Sequence, residues 1–161
     1  MGLRSRPLNV PSESYAPPVA GLEGNADPMT ELEPGARLEI ADYLRLREAV
    51  GWRTTGVEDA VLQAALDRTW NVVAREGGRV VGIGRLLEDG ALYATVWDVI
   101  VEPQAQRRGL GTAILERLLE AAASRAIVAL VASPAGRPLY ERYGFSSEDG
   151  RGVAMLFRPK G

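Results

Sequence analysis

Gln106-Arg107-Arg108-Gly109-Leu110-Gly111-Thr112 lies between an apolar run ending at Val101 and a strongly periodic one, so it reads as the loop joining a buried strand to a helix. The first turn of such a helix leaves backbone N–H groups without intrahelical acceptors, at the positive end of the macrodipole. Cations beside that end oppose the dipole by about 0.3–1 kcal/mol each. Arg107 and Arg108 therefore make sense if a polyanion sits there, and the chemistry to expect is the binding of phosphate oxygens. Gly109 allows close approach to a pyrophosphate, and Gly111 is read as letting the helix lie tight on the sheet. The competing reading is a plain strand-to-helix turn with solvated arginines.

Other phosphate motifs are not supported. The chain has no G-x-x-x-x-G-K-[ST] segment, and Gly82-Ile83-Gly84 lacks a third glycine and a following helix. Those two glycines are expected at a bulge or a close backbone approach. Cysteine and histidine are both absent. Cysteine nucleophiles, disulfides and thiolate metal sites are thereby excluded, no metal is expected, and proton transfer must use carboxylate, tyrosine, lysine or water.

Gln106-Arg107-Arg108-Gly109-Leu110-Gly111 resembles the Q/R-x-x-G-x-G/A signature of the GCN5-related N-acetyltransferase (GNAT) superfamily, and Pro138-Leu139-Tyr140-Glu141-Arg142-Tyr143-Gly144-Phe145 resembles its Y-x-x-x-G-F segment. Trp97 to Pro103 is further similar to the strand before the loop in small-amine members such as arylalkylamine and serotonin acetyltransferases. The resemblance covers most of residues 37–161. It implies an α/β (α+β) fold with a central mixed, mostly antiparallel sheet, splayed after its fourth strand and flanked by helices. It also implies acetyl-CoA as cosubstrate and direct transfer to an amine, a small molecule ahead of a protein lysine. By position, the amides of Arg107, Arg108, Gly109, Leu110, Gly111 and Thr112, with Gln106, would hold the pyrophosphate. The strand Val99-Ile100-Val101 would pair with the pantetheine arm, and Tyr140 would protonate the departing thiolate. Ser133 stands where many members carry Asn or Asp, and Gly136 where alanine is usual, so the contact at Ser133 is a departure from the pattern.

An alkylamine nucleophile, with a pKa near 10.4, arrives mostly protonated. Asp98 is the first candidate to accept its proton, directly or through water; the alternative is a carboxylate that hydrogen-bonds backbone at a sheet distortion. Glu102 is read as more exposed and ranks second. Tyr140, with a tyrosine pKa near 10, suits donation to a thiolate; the alternative is a core aromatic. Trp52, Tyr93 and Trp97 are read either as an aromatic acceptor pocket or as core, the default for such residues. A non-catalytic acyl-CoA-binding regulatory module is the competing function.

Positioning these groups requires a mixed α/β domain. Strands are expected at Arg37 to Ile40, Trp70 to Arg75, Arg79 to Leu87, Leu92 to Val101, Ile127 to Ala132 and Val153 to Phe157. Helices are expected at Asp42 to Val50, Glu58 to Thr69, Gly109 to Ser124 and Arg137 to Tyr143. Leu110, Ile114, Leu118 and Ala122, four apart, make the third helix the clearest.

At 161 residues, 46% hydrophobic and 25% charged, the chain has room for one domain. Residues 1–36 hold six of the ten prolines and little apolar periodicity, which predicts an N-terminal extension, flexible or docked on a partner, ahead of an acetyltransferase domain at 37–161. A net charge of −2 gives no reason to expect nucleic-acid binding. No apolar run approaches the ~20 residues of a membrane span, and the N-terminus lacks an apolar signal core, so a cytoplasmic protein is expected. A homodimer remains open.

Overall fold

Val80 to Leu86 is buried without a break, the mark of a strand covered on both faces. In this computed structural model, which describes residues 29–52 and 56–147, that strand is the middle of a five-stranded sheet. The elements are β1 (Thr30–Pro34), α1 (Ile40–Ala49), α2 (Asp59–Leu66), β2 (Trp70–Glu76), β3 (Arg79–Glu88), β4 (Tyr93–Val101), a 3₁₀ turn (Pro103–Ala105), α3 (Leu110–Ala121), β5 (Ile127–Leu130) and α4 (Arg137–Arg142). Strand order follows the chain, antiparallel from β1 to β4 and parallel between β4 and β5. This is the mixed, mostly antiparallel sheet that the resemblance implies.

Two expectations are corrected. Residues 37–40 form no strand; Leu38 is buried in the core and Ile40 opens α1, its amide held by Gln63 Oε1 of α2 at 2.8 Å. The first strand lies earlier, at Thr30–Pro34, within the residues that composition assigns to the extension. It is held to β2 through pairs such as Leu32↔Ala74, and Thr30 Oγ1 donates to Glu76 Oε1 at 2.8 Å. The strand expected at Val153 to Phe157 lies outside the described residues. No described helix is long and apolar enough to cross a membrane.

The sheet separates two cores. On one face Leu38, Tyr43, Leu46, Leu66, Val73, Val80, Ile83 and Ile100 join α1 and α2 to the strands. On the other, Leu110, Ile114, Leu115, Leu118 and Leu119 of α3 pack on Val72, Ala74, Val81, Leu86, Ala94 and Val96. Each fully buried Leu or Ile contributes about 1.5–3 kcal/mol. Glycine in β3 sets how deeply α3 sits: a Cβ at Gly84 would lie 2.5 Å from Ile114 Cγ2, and one at Gly82 would lie 3.0 Å from Ile114 Cδ1. A Cβ at Gly111 would meet its neighbours only at 3.8 Å. The close approach expected of Gly111 is thus made by Gly82 and Gly84.

β4 carries the irregularity that shapes the site. Ile83 pairs with Ile100 and Arg85 with Trp97, so Gly84 faces two residues, Asp98 and Val99, in a β-bulge. Asp98 takes φ 48° there. β5 pairs only with Tyr93 to Val96. Beyond Val96 the two strands part, and the second half of β4 keeps an open edge toward the gap.

Candidate active site

The loop from β4 to α3 turns through two left-handed residues, Arg107 at φ 61° and Gly109 at φ 78°. Left-handed positions alternating with right-handed ones turn successive amides to one side and form anion-binding concavities. Gly109 is the N-cap of α3, no side chain among the described residues caps the helix, and its first turn has no acidic residue. The first-turn amides are therefore available to an external acceptor. The two arginines divide their work. Arg107 is exposed and makes no ion pair among the described residues. Arg108 forks onto Glu76 of β2, with Nη2 to Oε1 at 2.8 Å and Nη1 to Oε2 at 3.4 Å. Arg108, expected to meet a polyanion, is tied through Glu76 to the sheet.

Backbone direction along β4 decides which groups face the gap. Glu102 N donates to Val81 O at 2.8 Å, so Glu102 and, two residues earlier, Ile100 turn their backbone toward β3. Val99 and Val101 turn theirs the other way, to the open edge. Ile100, expected at the cofactor, is 2% exposed in the core beneath α1 and stands behind the gap. Gln106 donates through Nε2 to Val101 O at 2.9 Å, which ties the loop to the strand end and commits that carbonyl. Leu110 likewise offers its amide, because its side chain is buried in the core.

α4 brings up the tyrosines. Leu139 Cδ2 lies 3.8 Å from the Cβ position of Gly111, so this short helix stands against the first turn of α3. Tyr143 is the core aromatic, 5% exposed, with its hydroxyl donating to Glu116 Oε1 at 2.6 Å. Tyr140 packs edge-on against Phe145, ring centroids 6.1 Å apart, and its hydroxyl has no hydrogen-bond partner among the described residues. Burial pushes that hydroxyl above the usual tyrosine value, which keeps it a proton donor at neutral pH.

Asp98 is enclosed. Its Oδ1 accepts from Arg47 Nη1 at 2.8 Å, and its Oδ2 from Arg85 Nη1 at 2.7 Å and Tyr43 Oη at 3.0 Å. Three of about four acceptor directions are thus filled, on a side chain 9% exposed. Arg47 in turn stacks between Tyr43 and Trp52, 5.4 and 5.6 Å from their ring centroids. An amine approaching Asp98 would have to displace a guanidinium. Burial first, and the Asp98 charge next, push the Tyr43 hydroxyl up, so it remains a donor. Glu102, read as exposed, is 7% exposed and held by Arg79 and by Arg45 Nη1 at 3.3 Å. Trp52, Tyr93 and Trp97 reverse the default: they are 38%, 54% and 42% exposed. Tyr93 and Trp97 alternate with buried Ala94 and Val96, which places them on the sheet face away from α3.

The model of the acetyltransferase (GNAT) domain matches residues 67–147, from the end of α2 past α4. The chain belongs to the GNAT family. Among GNAT relatives, GCN5-related N-acetyltransferase 2, chloroplastic, of Arabidopsis thaliana is 29% identical over 149 residues, covering 78% of this chain and 57% of the relative. Serotonin N-acetyltransferase 2, chloroplastic, of Oryza sativa subsp. japonica is 40% identical over 82 residues, covering 50% and 41%. The chain thus spans about half the length of these curated relatives. A solved GNAT-family acetyltransferase from Streptococcus pneumoniae superimposes with a TM-score of 0.70 at 26% identity, covering 83% of this chain and 100% of that one.

Local geometry in this chain accounts for the two departures after β5. Ser133 Oγ accepts from Gly136 N at 3.1 Å, and Ser133 O from Gly136 N and Arg137 N at 3.0 and 2.9 Å. A Cβ at Gly136 would lie 3.2 Å from Ser133 Oγ and 3.3 Å from Tyr140 Cε2. Serine and glycine therefore go together here: the pair makes a tight turn that seats α4 and the Tyr140 ring. Sequence reading missed the partners of Asp98, since Tyr43 and Arg47 lie 55 and 51 residues away and no local spacing announces them.

Proposed function

We propose that this GNAT domain transfers an acetyl group from acetyl-CoA directly to an amine, with a small molecule as acceptor ahead of a protein lysine. The observation that carries the reading is the convergence of the uncapped α3 terminus and the open β4 edge at one gap. The residues present fit a CoA thioester. The amides of Gly109 to Thr112 and the exposed guanidinium of Arg107 suit a pyrophosphate, and the Val99 edge suits an extended amide-bearing arm. Tyr140 brings an uncommitted hydroxyl beside them.

When bound, acetyl-CoA supplies the activated acetyl group. The acceptor nitrogen forms a bond to the acetyl carbon as the carbon–sulfur bond breaks. Tyr140 Oη gives its proton to the departing sulfur and regains one from solvent. The proton on the amine leaves to water at the open side of the gap, since Asp98 is committed to Arg47, Arg85 and Tyr43. Exposed Trp52, Tyr93 and Trp97 favour an acceptor with an apolar or aromatic body.

Thermal unfolding with CoA and with acetyl-CoA tests the binding half. Either ligand at 100 times its dissociation constant should add about 2.7 kcal/mol. Release of free thiol over a panel of amines tests the chemical half. No shift with either ligand overturns the reading, and a shift without thiol release leaves a non-catalytic acyl-CoA-binding module.

A further inference from the structure

Asp98 holds φ 48° in the middle of a strand, a backbone state that L-residues other than Asn, Asp and His seldom take and that persists only where the surroundings enforce it. The enforcement is visible. Arg47 and Tyr43 come from α1 and Arg85 from β3, and all three donate to the one carboxylate, at 2.8, 3.0 and 2.7 Å. Arg85 also reaches Tyr43 Oη at 3.4 Å and lies over its ring at 5.4 Å, so the donors brace one another. None of them belongs to the phosphate-binding loop or to α4.

The bulge that this cluster encloses has a consequence for the gap. A one-residue insertion exchanges the two edges of a strand. Before the bulge Trp97 faces its partner Arg85; after it, Ile83 pairs with Ile100 and Gly82 with Val101. With Asp98 inserted, Val99 and Val101 point their backbone groups at the gap. Without it, Ile100 would point there and Val99 would be consumed by β3.

We propose that Tyr43, Arg47 and Arg85 are positioning residues for acetyl transfer: by clamping the Asp98 carboxylate they hold the bulge that turns the Val99 edge toward the gap. This rests on the acetyl-CoA reading above. The role of Asp98 is then conformational, and the clamp connects α1 and β3 to the strand edge on which the cosubstrate's arm lies.

The test compares Arg85→Met in two backgrounds. In the parent it should raise the KM for acetyl-CoA and the Kd for CoA roughly 5- to 30-fold, with kcat changed far less. In Asp98→Gly, glycine takes positive φ without help, so adding Arg85→Met should weaken CoA binding little further. Arg47→Met, at a less buried position, should behave in the same way. An equal loss in both backgrounds, or none in the parent, overturns the proposal. Amide exchange of the unliganded protein gives an independent readout: Ile100 and Glu102, whose backbone faces β3, should exchange faster in Arg85→Met while Val72 to Ala74 keep their protection. Unchanged exchange at Ile100 and Glu102 overturns the clamp whatever CoA does. A parent that binds no CoA overturns the acetyl-transfer reading instead, and the exchange result alone then decides the clamp.

Discussion

The Tyr143 hydroxyl donates to Glu116 Oε1 at 2.6 Å and so ties the end of α4 to the middle of α3. Three residues earlier on the same short helix, the Tyr140 hydroxyl has no such partner among the described residues. The two tyrosines should therefore fail differently. Tyr140→Phe keeps the ring against Phe145 and removes the proton donor, so kcat should fall about 10²–10⁴-fold with CoA affinity near the parent value. Tyr143→Phe should instead cost stability, about 1–3 kcal/mol for a lost hydrogen bond to a carboxylate. Steady-state kinetics and denaturant titration of both variants check this; equal loss of turnover would remove Tyr140 from the chemistry.

The pH dependence of the two raised tyrosines has a definite sign. Tyr140 keeps its proton past the usual value near 10, so kcat should lose its Tyr140-dependent activity only above a pH of about 10. That alkaline limb should be missing from the residual activity of Tyr140→Phe. Tyr43 is raised as well. In the unfolded chain tyrosine ionises near pH 10 while the folded group still holds its proton, so the unfolded state binds fewer protons and stability falls as pH rises. The contribution is whole below about pH 10 and is lost through the higher folded value. Tyr43→Phe should flatten that decline, as equilibrium unfolding across alkaline pH would reveal.

Arg107 and Arg108, neighbours in sequence, should separate affinity from anchoring. Removing exposed Arg107 should weaken CoA binding and lessen its salt dependence, because the lost contact is an ionic one with phosphate. Arg108→Ala breaks the pair with Glu76, a partly exposed bridge worth about 0–1 kcal/mol, and should lower stability slightly. Calorimetric titration at two salt concentrations discriminates the two; a larger affinity loss at Arg108 would reverse the assignment.

Glycine substitutions probe depth and turn. Gly84→Ala places a methyl carbon 2.5 Å from Ile114 Cγ2, and overpacking of this kind costs about 1–3 kcal/mol. Gly109→Ala must hold φ 78°, at roughly 1–2 kcal/mol. Its CoA affinity should drop as the loop relaxes, whereas Gly84→Ala should lose stability first. Melting temperatures and CoA titrations of the pair measure the split.

Legibility in the sequence follows the range of the forces involved. α3 was plain because Leu110, Ile114 and Leu118 repeat at helical spacing, and β3 and β4 because largely apolar runs are set off by the glycine turns Glu76-Gly77-Gly78 and Glu88-Asp89-Gly90. The Gly82 and Gly84 positions were also readable as bulge and close approach. β1 was hidden: Thr30 to Pro34 offers one central apolar residue, Leu32, and its pairing is supported by cross-strand polar contacts such as Arg75 Nε to Glu33 Oε2 at 3.0 Å. The strand expected at residues 37–40 shows the converse, since Leu38 and Ile40 alternate yet serve a core and a helix start. Within the site, the loop could be read from its residues, and Tyr140 came from the resemblance to the GNAT segment. The enclosure of Asp98 and Glu102 could not, because their arginine partners come from distant elements and each arginine alone reads as a solvated charge.

Strand order that follows the chain also orders events during synthesis. Strands β2, β3 and β4 are joined by short turns, so their pairings can form as soon as Val101 has left the ribosome, while β1 joins β2 across the segment that carries α1 and α2. The face bearing Val72, Ala74, Leu86, Ala94 and Val96 is then bare, and it stays so until α3 emerges and covers it. The gap exists only later still, once β5 has joined by its four parallel pairs and α4 has docked. Emergence of α3 is thus the moment at which the nascent sheet stops being a surface for other chains.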